Sequence, residues 1–121
     1  MNEKQAVQRL KQGDIGGLEY LVAMHQVRAV RASYLITWDV QLAEEIVQET
    51  FLQVYRSING FDGNRPFEPW FMRSVVNASV KAVKKSVRQV NVDDVDESVF
   101  VEIVRKVEPV ELQVENIELQ N

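Results

Sequence analysis

Apolar side chains recur with a helical period in four blocks of this sequence, and the breaks between blocks are short. Ala6, Val7 and Leu10 form the first stripe, within residues 3–12. Gly13-Asp14 ends that block and offers Asp14 as N-cap of a second helix, Ile15 to about Trp38. There Leu18, Leu21, Val22, Val27, Val30, Tyr34, Leu35 and Trp38 keep the spacing, and Gly16 and Gly17 lie near the start, where glycine costs less than in mid-helix. Asp39 is the candidate cap of a third helix, Val40 to Ile58, whose stripe is Leu42, Ala43, Ile46, Val47, Phe51, Val54 and Tyr55. The stretch NGFDGNRPFEPW, Asn59 to Trp70, carries Asn-Gly, Asp-Gly and two prolines and reads as a loop. A fourth helix is expected from near Pro66 or Pro69 to about Arg88, since proline suits a first turn. Its stripe is Trp70, Phe71, Val75, Val76, Ala78, Val80 and Val83; being rich in valine, it depends on packing more than on propensity.

After Arg88 the pattern changes. VNVDDVDES is acidic and poor in helix signals, so it reads as a linker. Phe100, Ile103, Val104 and Val107 have the spacing of a short helical turn. Beyond Pro109, Val110, Leu112 and Val114 alternate as a strand would, while Pro-Val-Glu-Leu-Gln is equally a helix start. The expected architecture is all-α: a compact bundle of about four helices with an acidic C-terminal linker or tail.

Charge divides along the chain. Residues 1–88 hold 12 basic and 9 acidic side chains; residues 89–121 hold 2 basic and 9 acidic, for a formal net charge of −4. Residues 73–88 contain Arg73, Lys81, Lys84, Lys85 and Arg88 and no acid, whereas 39–49 contain Asp39, Glu44, Glu45 and Glu49 and no base. Local charge governs attraction to phosphates, so an acidic total does not argue against nucleic acid.

Several chemistries find no support. The chain has no cysteine and one histidine, His25, which reads as structural or solvated. Ser74, Ser79 and Ser86 lack a base-and-orienter pair, no Gly-rich phosphate loop occurs, and Glu44, Glu45 and Glu49 have no second acidic cluster to share a metal pair. An enzyme, a cofactor and a metal are therefore not expected. No apolar run approaches the roughly 20 residues of a membrane span, and MNEKQAVQRLKQGD lacks a signal peptide's apolar core, so the expected location is cytoplasmic.

Two surfaces invite partners. Glu45, Gln48, Glu49, Leu52 and Arg56 share one face of the third helix, opposite its apolar stripe. Such a face is either a solvated surface with one stray leucine or a docking site whose apolar centre is ringed by charge. The aromatic-containing loop followed by a basic helix suits single-stranded or opened nucleic acid, with rings stacking on bases and cations holding phosphates. The alternatives are that the rings are core, the favoured reading for Trp70 and Phe71, and that the lysines merely solubilise. From the residues alone the chain offers a docking face for a basic helical partner and a surface for opened nucleic acid; the rival readings are a generic helical DNA-binding regulator and a structural protein–protein adaptor.

GDIGGLEYLV, AEEIVQETFLQVYRSINGFDG and PFEPWFMRSVVNASVKAVKK together resemble the second-region domain of bacterial RNA polymerase sigma factors of the extracytoplasmic-function type, collinearly over roughly residues 5–90. The resemblance implies a transcription initiation factor. It implies docking on the clamp helices of the largest subunit of core RNA polymerase through Asp39, Glu45, Gln48, Glu49, Leu52 and Arg56. It implies capture of a base of the single-stranded minus-ten promoter element in a pocket of Asn59, Phe61, Asp62, Asn64, Arg65 and Phe67. The adjacent strand would be held by Arg73, Asn77, Lys81, Lys84, Lys85 and Arg88. Many members also have an anti-sigma protein as partner. Two positions depart from the family pattern: Val76 stands where arginine often precedes the asparagine, and Lys81 where aspartate is common. By the same likeness residues 1–90 are the second-region helical domain and 91–108 an acidic interdomain linker. Residues 109–121 are then the truncated start of a promoter-reading helix-turn-helix domain, with Pro109 opening a helix.

Overall fold

The computed structural model describes residues 1–87 and 97–107, and these are helical, with short connections. Five α-helices follow one another: α1 (Glu3–Lys11), α2 (Ile15–Thr37), α3 (Val40–Ser57), α4 (Phe67–Val87) and α5 (Glu97–Lys106). A single 3-10 turn, Ile58–Gly60, closes α3. Expectations for Arg88, for the acidic run as far as residue 96 and for residues 108–121 fall outside the described residues.

Short polar side chains set the helix starts. Asn2 caps α1 reciprocally: its side chain accepts from Gln5 N–H at 2.8 Å, and the Gln5 side chain accepts from Asn2 N–H at 3.0 Å. Asp14 accepts from Gly16 N–H at 2.9 Å to start α2, and Asp39 from Leu42 N–H at 3.1 Å to start α3. Gly13, at φ +87°, turns the chain between α1 and α2. The turn between α2 and α3 uses Trp38 in the same left-handed region, at φ +56°, with a ring 5.8 Å from that of Tyr34.

The α2 helix packs against every other helix. Its buried stripe overlaps the expected one only in part: Leu21 is buried and Leu18, Val22 and Val30 pack against the core. Gly17, Leu21, His25, Ala29, Ala32 and Ser33 face inward, whereas Val27, Leu35 and Trp38 are exposed, Trp38 by 74%. A stripe of mostly small residues lets its neighbours approach closely. At Gly17 the approach leaves no space at all: an added Cβ would collide with the Ala6 carbonyl oxygen and lie 2.9 Å from the Leu10 nitrogen. Gly17 is thus the point where α1 crosses α2.

Between these helices lies a core of Val7, Leu10, Leu21, Val47, Phe51, Val54, Phe67, Phe71, Met72, Val75 and Val76. A chain of rings runs through it. Phe51 of α3 stacks on Phe71 at 4.4 Å, Phe71 on Phe67 at 5.5 Å, and Phe67 meets Phe61 edge-on at 6.0 Å. Offset and edge-to-face pairs of this kind add about 0.5–1.5 kcal/mol each beyond the area they bury. They fix the loop at 61–66 relative to α3 and α4. The short helical turn expected around Phe100, within the segment assigned as linker, is a docked helix, α5, with Phe100 and the following Val107 buried.

Candidate protein and nucleic-acid interfaces

One side of α3 is committed to the core through Ala43, Val47, Thr50, Phe51 and Val54. Asp39, Glu45, Gln48, Glu49, Leu52 and Arg56 all lie exposed, with Leu52 open by 46% and Arg56 Nη1 3.8 Å from Glu49 Oε1. Asp39 is partly occupied by its capping bond. Tyr55, expected in the buried stripe, is 48% exposed. It follows Leu52 by three positions and Gln48 by seven, so it extends the apolar centre of the outward face. That spacing was present in the sequence and pointed there.

The loop after α3 is held by three local bonds and two buried rings. Phe61 N–H donates to Ile58 O at 3.1 Å, Arg65 N–H to Asp62 O at 3.0 Å, and Asn64 N–H to Asp62 Oδ1 at 2.9 Å. The last is an Asx turn. Lys11 of α1 adds a bond from its ammonium to the Phe61 carbonyl. Phe61 and Phe67, expected as walls of a base pocket, are both buried, 6% and 1% exposed; Phe61 keeps an edge on the groove beside it, and Phe67 is a peg in the core. Aromatic rings flanking a polar turn gain more from the core than from solvent. Asn59, Asp62, Asn64 and Arg65 are left outside, with Arg65 Nε 4.0 Å from Asp62 Oδ2.

Between this loop and the start of α4 lies an open groove of about 750 Å³. The loop side is lined by Gly60, Asp62 and Arg65 with an edge of Phe61, the α4 side by Pro69, Trp70 and Arg73, and one end by Glu97 and Phe100 of α5. Trp70 is the residue that sequence reasoning assigned away from the site. It packs on Phe61 at 4.5 Å yet stays half-buried, facing the groove. Helical spacing alone placed it in the stripe with Phe71; the turn at Pro66 brings the loop beside it.

From the groove a polar stripe runs along α4. Arg73, Asn77, Lys81 and Lys84 recur at four- and three-residue steps, with Lys85 beside them; Lys81 and Lys85 are exposed, and Arg73, Asn77 and Lys84 partly so. No acidic residue interrupts α4 after Glu68. Arg73 is already engaged, by the Glu97 carboxylate and by the Phe100 ring, 4.4 Å from its guanidinium carbon. Val76 is fully buried, so the position where the family often has arginine is a core position here.

His25 is buried and structural. Its Nε2–H donates to Glu3 Oε1 at 2.6 Å, its Nδ1 lies 3.9 Å from Glu68 Oε2, and Arg28 pairs with Glu68. Ligating atoms of Glu3, His25 and Glu68 lie within 4.8 Å of one another. The His25–Glu3 hydrogen bond and the Arg28–Glu68 ion pair tie α1, α2 and α4 together. Among the described residues, no helix is long and apolar enough to cross a membrane.

Comparison with known proteins assigns this arrangement a kin group. The family model described as Sigma-70 region 2 matches residues 21–89. The extracytoplasmic-function RNA polymerase sigma factor SigW of Bacillus subtilis is 29% identical over 82 residues, which are 68% of this chain and 44% of SigW. The corresponding sigma-E factor of Salmonella typhimurium is 29% identical over 98 residues, 79% of this chain and 50% of that protein. The chain thus spans about half the length of the curated relatives it matches. Among solved structures, an engineered region 2 of sigmaE in an NMR complex with GTAAAA superimposes with a TM-score of 0.67 at 25% identity, covering 76% of this chain and 96% of that one.

Proposed function

The chain belongs to the sigma-70 region 2 family, and from that premise we propose that it is the polymerase-docking and promoter-opening part of an extracytoplasmic-function sigma factor, acting in the cytoplasm. The observation that carries the reading is the outward face of α3. A helix that needs one stripe for its own core also presents Leu52 and Tyr55 in the open, ringed by Glu45, Gln48, Glu49 and Arg56. An apolar centre with a charged rim is how a protein interface is built, and net negative charge here selects a basic helical partner, the clamp helices of core RNA polymerase.

The groove beside Trp70 and the stripe from Arg73 to Lys85 are the nucleic-acid side. A base leaving the duplex of the minus-ten element enters between the Asn59–Phe67 loop and Trp70, and the cations hold the strand that follows. Extruding a base costs a few kcal/mol, which stacking and pocket contacts offset, so neither ATP nor a metal is required. Docking on polymerase sets the basic stripe at the DNA, where individually weak contacts act at high effective concentration. The chain takes no part in bond-making; phosphoryl transfer belongs to the polymerase. In this reading residues 1–90 are the docking and melting domain, 91–108 connect it onward, and 109–121 begin the promoter-reading domain. An anti-sigma protein that covers the α3 face is a fitting antagonist.

The test is capture of core RNA polymerase by the immobilised chain. Glu45→Lys together with Glu49→Lys is expected to abolish capture while leaving the helical circular dichroism signal intact. Undiminished capture by the folded double variant would remove α3 from the interface.

A further inference from the structure

The groove's open end is closed by the chain itself. Glu97, in the first turn of α5, pairs with the Arg73 guanidinium, and Phe100, one turn later, lies beneath that guanidinium at 4.4 Å. Both also line the groove that receives the base in the reading above. Arg73 heads the basic stripe and is its cation nearest the groove. Its charge and its ring-facing side are therefore both taken by α5.

We propose that α5 is an intramolecular competitor of the DNA strand: Glu97 holds Arg73 in the place of a phosphate, and single-stranded DNA binds by displacing it. The inference rests on the reading of the groove as a single-strand site. A carboxylate and a phosphate oxygen make the same charge-assisted bond to a guanidinium, so the two compete for the Arg73 Nη2 that Glu97 occupies. The remaining attachment of α5 suits displacement. Phe100 and the following Val107 are its buried anchors, but Phe100 and Val104 also border an open apolar cleft of about 320 Å³ against Pro69 and Met72. A helix seated over such a cleft forgoes part of the dispersion energy that close packing would provide. The Glu97–Arg73 pair is half-exposed, so it holds the helix weakly and yields to an oligonucleotide that brings several phosphates.

The experiment uses the full chain and the single-stranded hexanucleotide GTAAAA, with a scrambled hexanucleotide as control, read by fluorescence anisotropy at several salt concentrations. Glu97→Gln is expected to tighten GTAAAA binding by about two- to fivefold, the range a half-exposed ion pair supports. Glu102→Gln, which removes the same charge from an exposed position of α5, is expected to leave affinity within error. Arg73→Ala weakens binding, and in that background Glu97→Gln brings no gain. In hydrogen exchange, the α5 amides lose protection when GTAAAA is added to the wild-type chain. Should Glu97→Gln bind like wild type, or no better than Glu102→Gln, while Arg73→Ala still weakens binding, the competitor role is wrong and the groove reading stands. Equal binding of GTAAAA and the scramble, insensitive to Arg73, removes the groove reading and the competitor with it.

Discussion

Ser33 of α2 and Ser79 of α4 meet hydroxyl to hydroxyl at 2.7 Å, both completely buried. Ser79 also donates to Val75 O at 2.8 Å, so its proton is spoken for and Ser33 is the donor between the two helices. The pair is polar, but its two hydroxyls satisfy each other inside the contact between α2 and α4.

The donor order makes the two serines unequal. Ser79→Ala strands the Ser33 hydroxyl in the core and is expected to cost about 1–3 kcal/mol, the penalty for an unmet buried donor. Ser33→Ala leaves Ser79 bonded to its own helix and is expected to cost less. The double replacement by alanine should cost less than the sum of the single changes. Urea denaturation of the four proteins measures this cycle, and equal costs for the single variants would contradict the assigned donor.

Gly17 is expected to be the least replaceable glycine. Alanine there forces α1 off α2, and overpacking of this kind costs about 1–3 kcal/mol. At Gly60 an added Cβ meets nothing within 4 Å, so alanine is expected to leave thermal stability unchanged or slightly higher. Melting temperatures of the two variants give the comparison.

Trp70 reports on the groove. The chain has two tryptophans, and Trp38 sits exposed at the end of α2. In a Trp38→Phe background, GTAAAA is expected to quench the remaining emission as a base stacks on Trp70; in Trp70→Phe the signal should not respond. Stacking is worth about 1–3 kcal/mol per base, so Trp70→Leu is expected to weaken hexanucleotide binding by about tenfold or more. An unresponsive Trp70 would place the base elsewhere.

Lys84→Ala with Lys85→Ala is expected to weaken single-strand binding evenly across sequences. It should also flatten the plot of log affinity against log salt, by up to about 1.4 for two lost phosphate contacts. A slope identical to wild type takes these lysines out of the interface.

The helix limits and the outward face of α3 were legible in the sequence. Asp14 and Asp39 act on amides two and three residues away, and Glu45, Gln48, Glu49 and Leu52 share a face by helical geometry alone. Interactions confined to a turn or two of chain need no knowledge of the rest. Three features needed the assembled fold. Val27, Leu35 and Trp38 of α2 face outward because α1, α3 and α4 press against Gly17, Ala29, Ala32 and Ser33, a choice made by neighbours and not by period. Phe61 and Phe67 turn inward, and Trp70 outward, because α4 begins beside a loop pinned to α1 by Lys11. The α5 helix closes on Arg73 across 24 residues of sequence, and no local pattern specifies where an acidic amphipathic turn will land. Local hydrogen bonds thus determined which residues are helical, and burial, which depends on everything packed around a side chain, decided which of them face a partner.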